Sequence, residues 1–131
     1  MIYGIGIDIV EVKRIGFFLE TERRMKKIFT DNEVMYIKNK NMNLQSAAGI
    51  WAAKEAFSKA LGTGVVGFSM KDVEIISKEN TRPYIKLYDK AYKLYESRDC
   101  KKIFLSISHE KEYAVANVII ENWYILINLG I

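Results

Sequence analysis

Four side chains in this sequence have the types and spacing to act on a charged ligand: Asp8, Glu55, Lys59 and His109. Glu55 and Lys59 stand four residues apart in Trp51-Ala-Ala-Lys-Glu-Ala-Phe-Ser-Lys-Ala-Leu-Gly-Thr-Gly64, and residues four apart share a helical face. They form either an exposed ion pair or part of a site for a charged group. Asp8 sits inside Tyr3-Gly-Ile-Gly-Ile-Asp-Ile-Val10, beside two residues without side chains. Charge in such a strand is expensive unless it is paired or metal-bound. Asp8 therefore reads as a ligand or metal group, as a solvated edge-strand residue, or as a cap for the segment starting near Glu11. His109 is the only histidine, at the end of an apolar run and flanked by Ser106 and Ser108. Loop ends of this kind often carry chemistry, and a lone histidine is otherwise a surface or satisfied core residue.

The elements that must position these groups are legible in the periodicity. The Trp51–Gly64 helix begins near Leu44, with Gly62 as its stop and Gly64 keeping the next turn permissive. At roughly 100° per residue, Ala48, Trp51, Ala52 and Gly62 fall on the Glu55–Lys59 face. Those small residues would let a ligand approach the backbone, while Ile50, Ala53, Phe57, Ala60 and Leu61 form a core stripe on the opposite face. The N-terminal segment alternates with period two, so it is a strand. Ile5, Ile7 and Ile9 are expected to face the core, with Gly4, Gly6 and Asp8 on the other side. Ile103–Ile120 reads as a hairpin turning at Glu110–Glu112.

Between these islands, Glu11 to about Phe29 looks helical, and Thr30-Asp-Asn-Glu33 is a capping-box pattern opening a helix to about Lys40. Asn39–Asn43 is a polar loop and Gly62–Gly67 a glycine-rich connection. Asp72–Lys78 and Tyr84–Tyr88 are strands around a turn at Asn80, Arg82 and Pro83, and Asp89 to about Ser97 is a helix. The hairpin of His109 should close the sheet. This is an α+β single domain, mainly an antiparallel sheet with helices packed against it, and 131 residues suffice for one core.

Half of the residues are apolar, which argues against disorder. Cys100 is alone, as suits a reducing compartment. The N-terminus shows no signal-peptide pattern, and no apolar run reaches the ~20 residues of a membrane span. A cytoplasmic location with no membrane partner is expected. Net charge is +4, concentrated between Glu11 and Lys27, where six basic residues face three acidic ones. That segment is either a solvated face or a dock for an acidic partner.

The Gly-Ile-Asp-Ile strand, the Trp-Ala-Ala-Lys-Glu-Ala-Phe-Ser-Lys-Ala-Leu-Gly-Thr-Gly helix and the Ser-Ile-Ser-His hairpin occur here in that order. Together they resemble the 4′-phosphopantetheinyl transferases, specifically the short, single-domain holo-[acyl-carrier-protein] synthase type. The likeness runs from Met1 to about Glu121 and implies the fold of that family. It implies transfer of 4′-phosphopantetheine from coenzyme A to a serine of an apo acyl carrier protein. The reaction would depend on Mg²⁺, release adenosine 3′,5′-bisphosphate and serve fatty acid biosynthesis. By the resemblance, Asp8 and Glu55 match the metal-binding carboxylates. Glu55, Lys59 and His109 are the implied catalytic residues, with His109 assigned to phosphate binding first and proton transfer second. Lys59, Gly62, Gly64, Ser108 and His109 are the implied coenzyme-binding set. The serine's base would be Glu55, directly or through a metal-bound water. An acidic carrier protein would dock on a basic first helix at Arg14, Arg23, Arg24 and Lys27, of which Arg14 and Arg24 match best. A homotrimer with sites at subunit junctions is implied as well.

Two features depart from the family pattern. Ile50 stands where the family commonly has Arg, a residue that by helical angle points away from Glu55 and would serve a ligand across a subunit boundary. The chain also continues as Trp123-Tyr-Ile-Leu-Ile-Asn-Leu-Gly-Ile131, an apolar tail. It could cover a subunit interface, pack on the core, or hang loose. Two rival readings use the residues alone. A Mg²⁺-dependent hydrolase of nucleotide pyrophosphates would need the carboxylates but no carrier dock. A basic nucleic-acid module would explain the charge but not Asp8, Glu55 and His109, so no nucleic-acid partner is expected.

Overall fold

A computed structural model describes residues 1–122 of the chain. The expectations for Trp123–Ile131 lie outside the described residues. The element order is β1 (Ile2–Glu11), α1 (Val12–Leu19), α2 (Glu22–Ile28), α3 (Asp31–Asn39), α4 (Leu44–Leu61), β2 (Val73–Ile76), β3 (Tyr84–Leu87), α5 (Asp89–Ser97), β4 (Cys100–His109) and β5 (Tyr113–Asn122). This is a single α+β domain with antiparallel sheets. The expected single sheet is instead two, a three-stranded β1-β5-β4 sheet and a separate β2-β3 pair. β3 touches β4 without forming a ladder with it.

Local signals account for most boundaries. Thr30 and Glu33 close the anticipated capping box at the start of α3. The Asn43 side chain accepts from Ser46 N at the start of α4, and Gly62 ends α4 in the left-handed region at φ +89°, where a Cβ would be strained. The long helix expected over Glu11–Phe29 is broken. Thr21 adopts an extended conformation and its side chain accepts from Arg24 N, so it caps a second helix.

α4 is the centre of the fold and is buried on nearly every side, not along one stripe. Ala48 and Ala52, read as an approach path for a ligand, are fully covered. What approaches the helix backbone is β1. A Cβ built on Gly4 would stand 2.0 Å from Ala60 O, and one on Gly6 1.9 Å from Ala56 O. The glycine face of β1 therefore turns inward. The expectation that Ile5, Ile7 and Ile9 form the core is overturned: they are 60%, 59% and 66% exposed on the outer face. Only residues without a Cβ fit the close strand–helix contact, and period two then sends the isoleucines outward.

A buried ionic network ties α4 to the smaller sheet. Lys54 Nζ, fully buried, lies 2.8 Å from Glu33 Oε1 and donates to Met70 O at 2.8 Å and Val73 O at 2.7 Å. Glu33 Oε2 accepts from Ile75 N at 2.7 Å. Burial raises the Glu33 carboxyl and lowers the Lys54 ammonium, with their mutual attraction opposing both shifts. Breaking such a pair strands a charge in the core.

Replacing Gly6 by alanine is expected to cost more than about 3 kcal/mol, since the clash is with backbone that cannot swing away. Alanine at Gly64, where φ is +61° but nothing lies within 4 Å of a Cβ, should cost only about 1 kcal/mol. Urea unfolding midpoints of the two variants give the comparison.

Candidate active site

The inward turn of β1 brings Asp8 to the exposed side of α4. Lys59 Nζ donates to Asp8 Oδ1 at 3.0 Å and to Ile7 O at 3.0 Å. The Asp8 side chain is 15% exposed and that of Lys59 is 51% exposed, so the ion pair stands at a mouth. Asp8 and Glu55 line one cleft of about 330 Å³ together with Val10, Arg14, Phe17 and Trp51. Trp51 stacks on Phe18, ring centroids 5.4 Å apart, which braces α1 against α4. Three of the four groups singled out from sequence thus converge within one chain.

Glu55 has its carboxyl held above the ordinary glutamate value, first by burial and then by the neighbouring Asp8 charge, with Lys59 pulling the other way. Two carboxylates that repel each other on the wall of a cleft form a site whose electrostatic deficit a cation would relieve. Among the described residues no group of three or more His, Cys, Asp and Glu side chains converges as a metal cluster. A two-carboxylate set fits Mg²⁺, which keeps waters and substrate phosphates in most of its shell.

The glycine loop is less available to a ligand than its composition suggests. The N–H groups of Gly62, Thr63 and Gly64 all donate back to the Ser58 carbonyl, and that of Gly62 to Lys59 as well. They terminate the helix and are not free to cradle phosphate.

His109 does not meet the carboxylates within one chain. It lines a second cleft, of about 220 Å³, with Tyr36, Ser46, Ile50, Lys78 and Thr81. Ser108 belongs to the other face of β4: it pairs with Val115, which in turn lies opposite Ile9, on the outer side of the sheet. Ser108 and His109 therefore point apart by strand alternation. Ile50, at the position where the resemblance leads to an expected Arg, is 2% exposed and packs in the core.

The basic segment is split across α1 and α2. Arg14 is exposed and borders the Asp8–Glu55 cleft, while Arg23 and Lys27 are exposed on α2. Arg24 is already engaged, bonded to Glu20 at 2.5 Å and lying 3.9 Å from the centroid of the Phe17 ring. Sequence reasoning passed over Lys54, and also Arg98 and Tyr3, which both bond Leu61 O at the end of α4. Lys54 lies within the quoted helix pattern, and its place in the buried stripe was the available signal. Nothing local marks Arg98.

The raised Glu55 carboxyl has a thermal consequence for the metal-free protein. The folded state holds the Glu55 proton more tightly than the unfolded chain, whose value is near 4.5. Stability is thus lost as pH rises through the window above that value. Glu55→Gln should raise the melting temperature at about pH 7.5 and leave it nearly unchanged at about pH 3, where wild-type Glu55 is protonated in both states. Melting curves with EDTA at the two pH values check this.

The 4′-phosphopantetheinyl transferase superfamily model matches residues 4–118. The chain is 46% identical over 121 residues to the holo-[acyl-carrier-protein] synthase of Caldicellulosiruptor saccharolyticus, covering 92% of this chain and 98% of the relative. The crystal structure of the holo-[acyl-carrier-protein] synthase of Neisseria meningitidis superposes with a TM-score of 0.84 at 32% identity, covering 93% of this chain and all of that one. The synthase of Bacillus anthracis, solved in complex with CoA (3′,5′-ADP), gives 0.76 at 37% identity over 93% of this chain and 98% of that one. With that sequence match, that fold, and Asp8 and Glu55 in one cleft, the chain belongs to the 4′-phosphopantetheinyl transferase superfamily.

Proposed function

We propose that this chain transfers 4′-phosphopantetheine from coenzyme A to a serine of an acidic apo acyl carrier protein. The reaction uses Mg²⁺, releases adenosine 3′,5′-bisphosphate, proceeds in the cytoplasm and serves fatty acid biosynthesis. The carrying observation is that Asp8 and Glu55 share one cleft, with Lys59 bonded to Asp8 beside it, in a chain of this superfamily. Among the described residues no helix is long and apolar enough to cross a membrane.

The chemistry is in-line attack of the serine Oγ on the β-phosphorus. A new O–P bond forms while the bond from that phosphorus to the bridging oxygen breaks, and the nucleotide leaves with that oxygen. Phosphoryl transfer of this kind is driven mainly by positioning and by cancelling charge. Mg²⁺ held by Asp8 and Glu55 would supply charge neutralisation at the pyrophosphate. Lys59, half-exposed and flexible, can turn from Asp8 to a phosphate oxygen. Glu55 takes the serine proton, directly or through a metal-bound water. Arg14 at the rim of the same cleft guides an acidic partner toward it, with Arg23 and Lys27 behind.

The remaining groups are supplied by a second copy in a homotrimer. Two observations support this. His109 and Asp8 line separate clefts in one chain. The outer face of the large sheet also exposes Ile5, Ile7, Ile9 and Phe104, an apolar surface of the kind that marks association. In the His109 cleft, Lys78 with Ser46 and Thr81 takes over the anion-binding role left open by Ile50.

The test is to incubate the protein with coenzyme A, Mg²⁺ and an apo acyl carrier protein and to weigh the carrier by mass spectrometry. A phosphopantetheine increment lost with EDTA and in Asp8→Ala or Glu55→Ala is expected. Arg14→Ala should raise KM for the carrier and leave KM for coenzyme A unchanged. Cleavage of coenzyme A without modification of any carrier would overturn the transferase reading in favour of hydrolysis.

Sedimentation should give a trimer for the wild type, and Ile7→Asp should give a folded monomer with little transfer activity. A wild-type monomer that is fully active would remove the shared-site reading.

A further inference from the structure

The contact between β1 and α4 is close and, at its glycine end, without side chains. Gly4 and Gly6 lie against the backbone of Ala60 and Ala56, so along this stretch the strand is held on the helix through its ladder to β5 and by polar ties. The strand's axial position sets the separation of Asp8, on β1, from Glu55, on α4. Among the described residues, directional polar ties between the two elements occur at only two places. One is Lys59 on Ile7 O and Asp8, within the candidate site itself. The other is at the far end, where Tyr3 Oη of β1 donates to Leu61 O at 3.3 Å. There Arg98, the residue capping α5, donates through Nη1 to Leu61 O at 2.5 Å and to Tyr3 Oη at 3.1 Å. Leu61 is the last residue of α4 and is fully buried. The guanidinium also meets the negative end of the α4 dipole, which favours a cation there.

We propose that Arg98 is a positioning residue: with Tyr3 it clamps β1 to the last turn of α4 and so sets the spacing of the Asp8–Glu55 pair for a divalent cation. The inference rests on the reading of Asp8 and Glu55 as the cation site. Neither Arg98 nor Tyr3 lines the Asp8–Glu55 cleft, so both act through the geometry of that pair. Loss of supporting contacts around metal ligands commonly weakens binding 10–100-fold, and at this remove about tenfold is expected.

The experiment titrates Mn²⁺ into the coenzyme-free protein, following free Mn²⁺ by electron paramagnetic resonance, for wild type, Arg98→Ala, Arg98→Lys and Tyr3→Phe. Tyr3→Phe keeps the ring and removes only the hydroxyl, so it tests the clamp even where Arg98→Ala fails to fold. Affinity should fall about tenfold in Arg98→Ala and less in Tyr3→Phe, with Arg98→Lys recovering part of the loss. In turnover assays the metal concentration needed for half-maximal rate should rise by the same factor, with KM for the carrier protein unchanged. Folded variants with lower melting temperatures but wild-type Mn²⁺ affinity would overturn the proposal and leave Arg98 a helix cap. Absence of Mn²⁺ binding by the wild type, both coenzyme-free and saturated with coenzyme A, would instead overturn the cation site on which the proposal rests.

Discussion

The rest of the structure depends on one contact without side chains, that of Gly4 and Gly6 on β1 against the backbone of Ala56 and Ala60 on α4. Because no Cβ fits there, the strand lies against the helix, and Asp8, on the same face two residues on, comes to lie beside Lys59. The same constraint sends Ile5, Ile7 and Ile9 outward, where a lone chain would leave them in water at the usual cost of exposed apolar surface. One packing choice thus assembles a charged cleft on one side of the sheet and an apolar face on the other. That pairing of features is what makes a site shared between copies a natural reading.

Charge is handled in two contrasting ways on the same helix. Lys54 is fully buried, meets Glu33 and donates to Met70 O and Val73 O, while the second Glu33 oxygen accepts from Ile75 N. Such a closed network is worth little as net stability but is costly to break, so it fixes the orientation of α4 against the smaller sheet. Glu55, the next residue in sequence, has no such closure. It shares a cleft with Asp8 and its carboxyl is held up by burial and by that neighbour. The helix turns one charge into a fixed anchor and leaves the next one frustrated and accessible, which is the condition in which a carboxylate binds cations or takes protons.

Local chemistry written in consecutive residues was legible. The Thr30–Glu33 capping box, the Gly62 helix stop and the hairpin turning at Glu110–Glu112 all stand where periodicity and capping rules put them. The spacing of Glu55 and Lys59 and the presence of Asp8 in the first strand were enough to raise a shared site, because a helix and a strand have fixed periods. The errors lie where a choice between two faces had to be made. An alternating strand has an apolar face and a glycine face, and hydrophobicity alone assigns the core to the isoleucines. Thr21 was read inside one helix because its neighbours are all helix formers, whereas its side chain caps a new one.

By itself, then, the sequence determined which residues are chemically capable and which elements hold them, since those follow from short-range sterics and spacing. Only the tertiary structure decided which face of β1 is buried, that His109 and Ser108 point apart and away from the carboxylates, and that Arg98 closes the end of α4. Each of those is a contact between residues far apart in the chain. It is fixed by which backbones can approach one another, a quantity that no local pattern encodes.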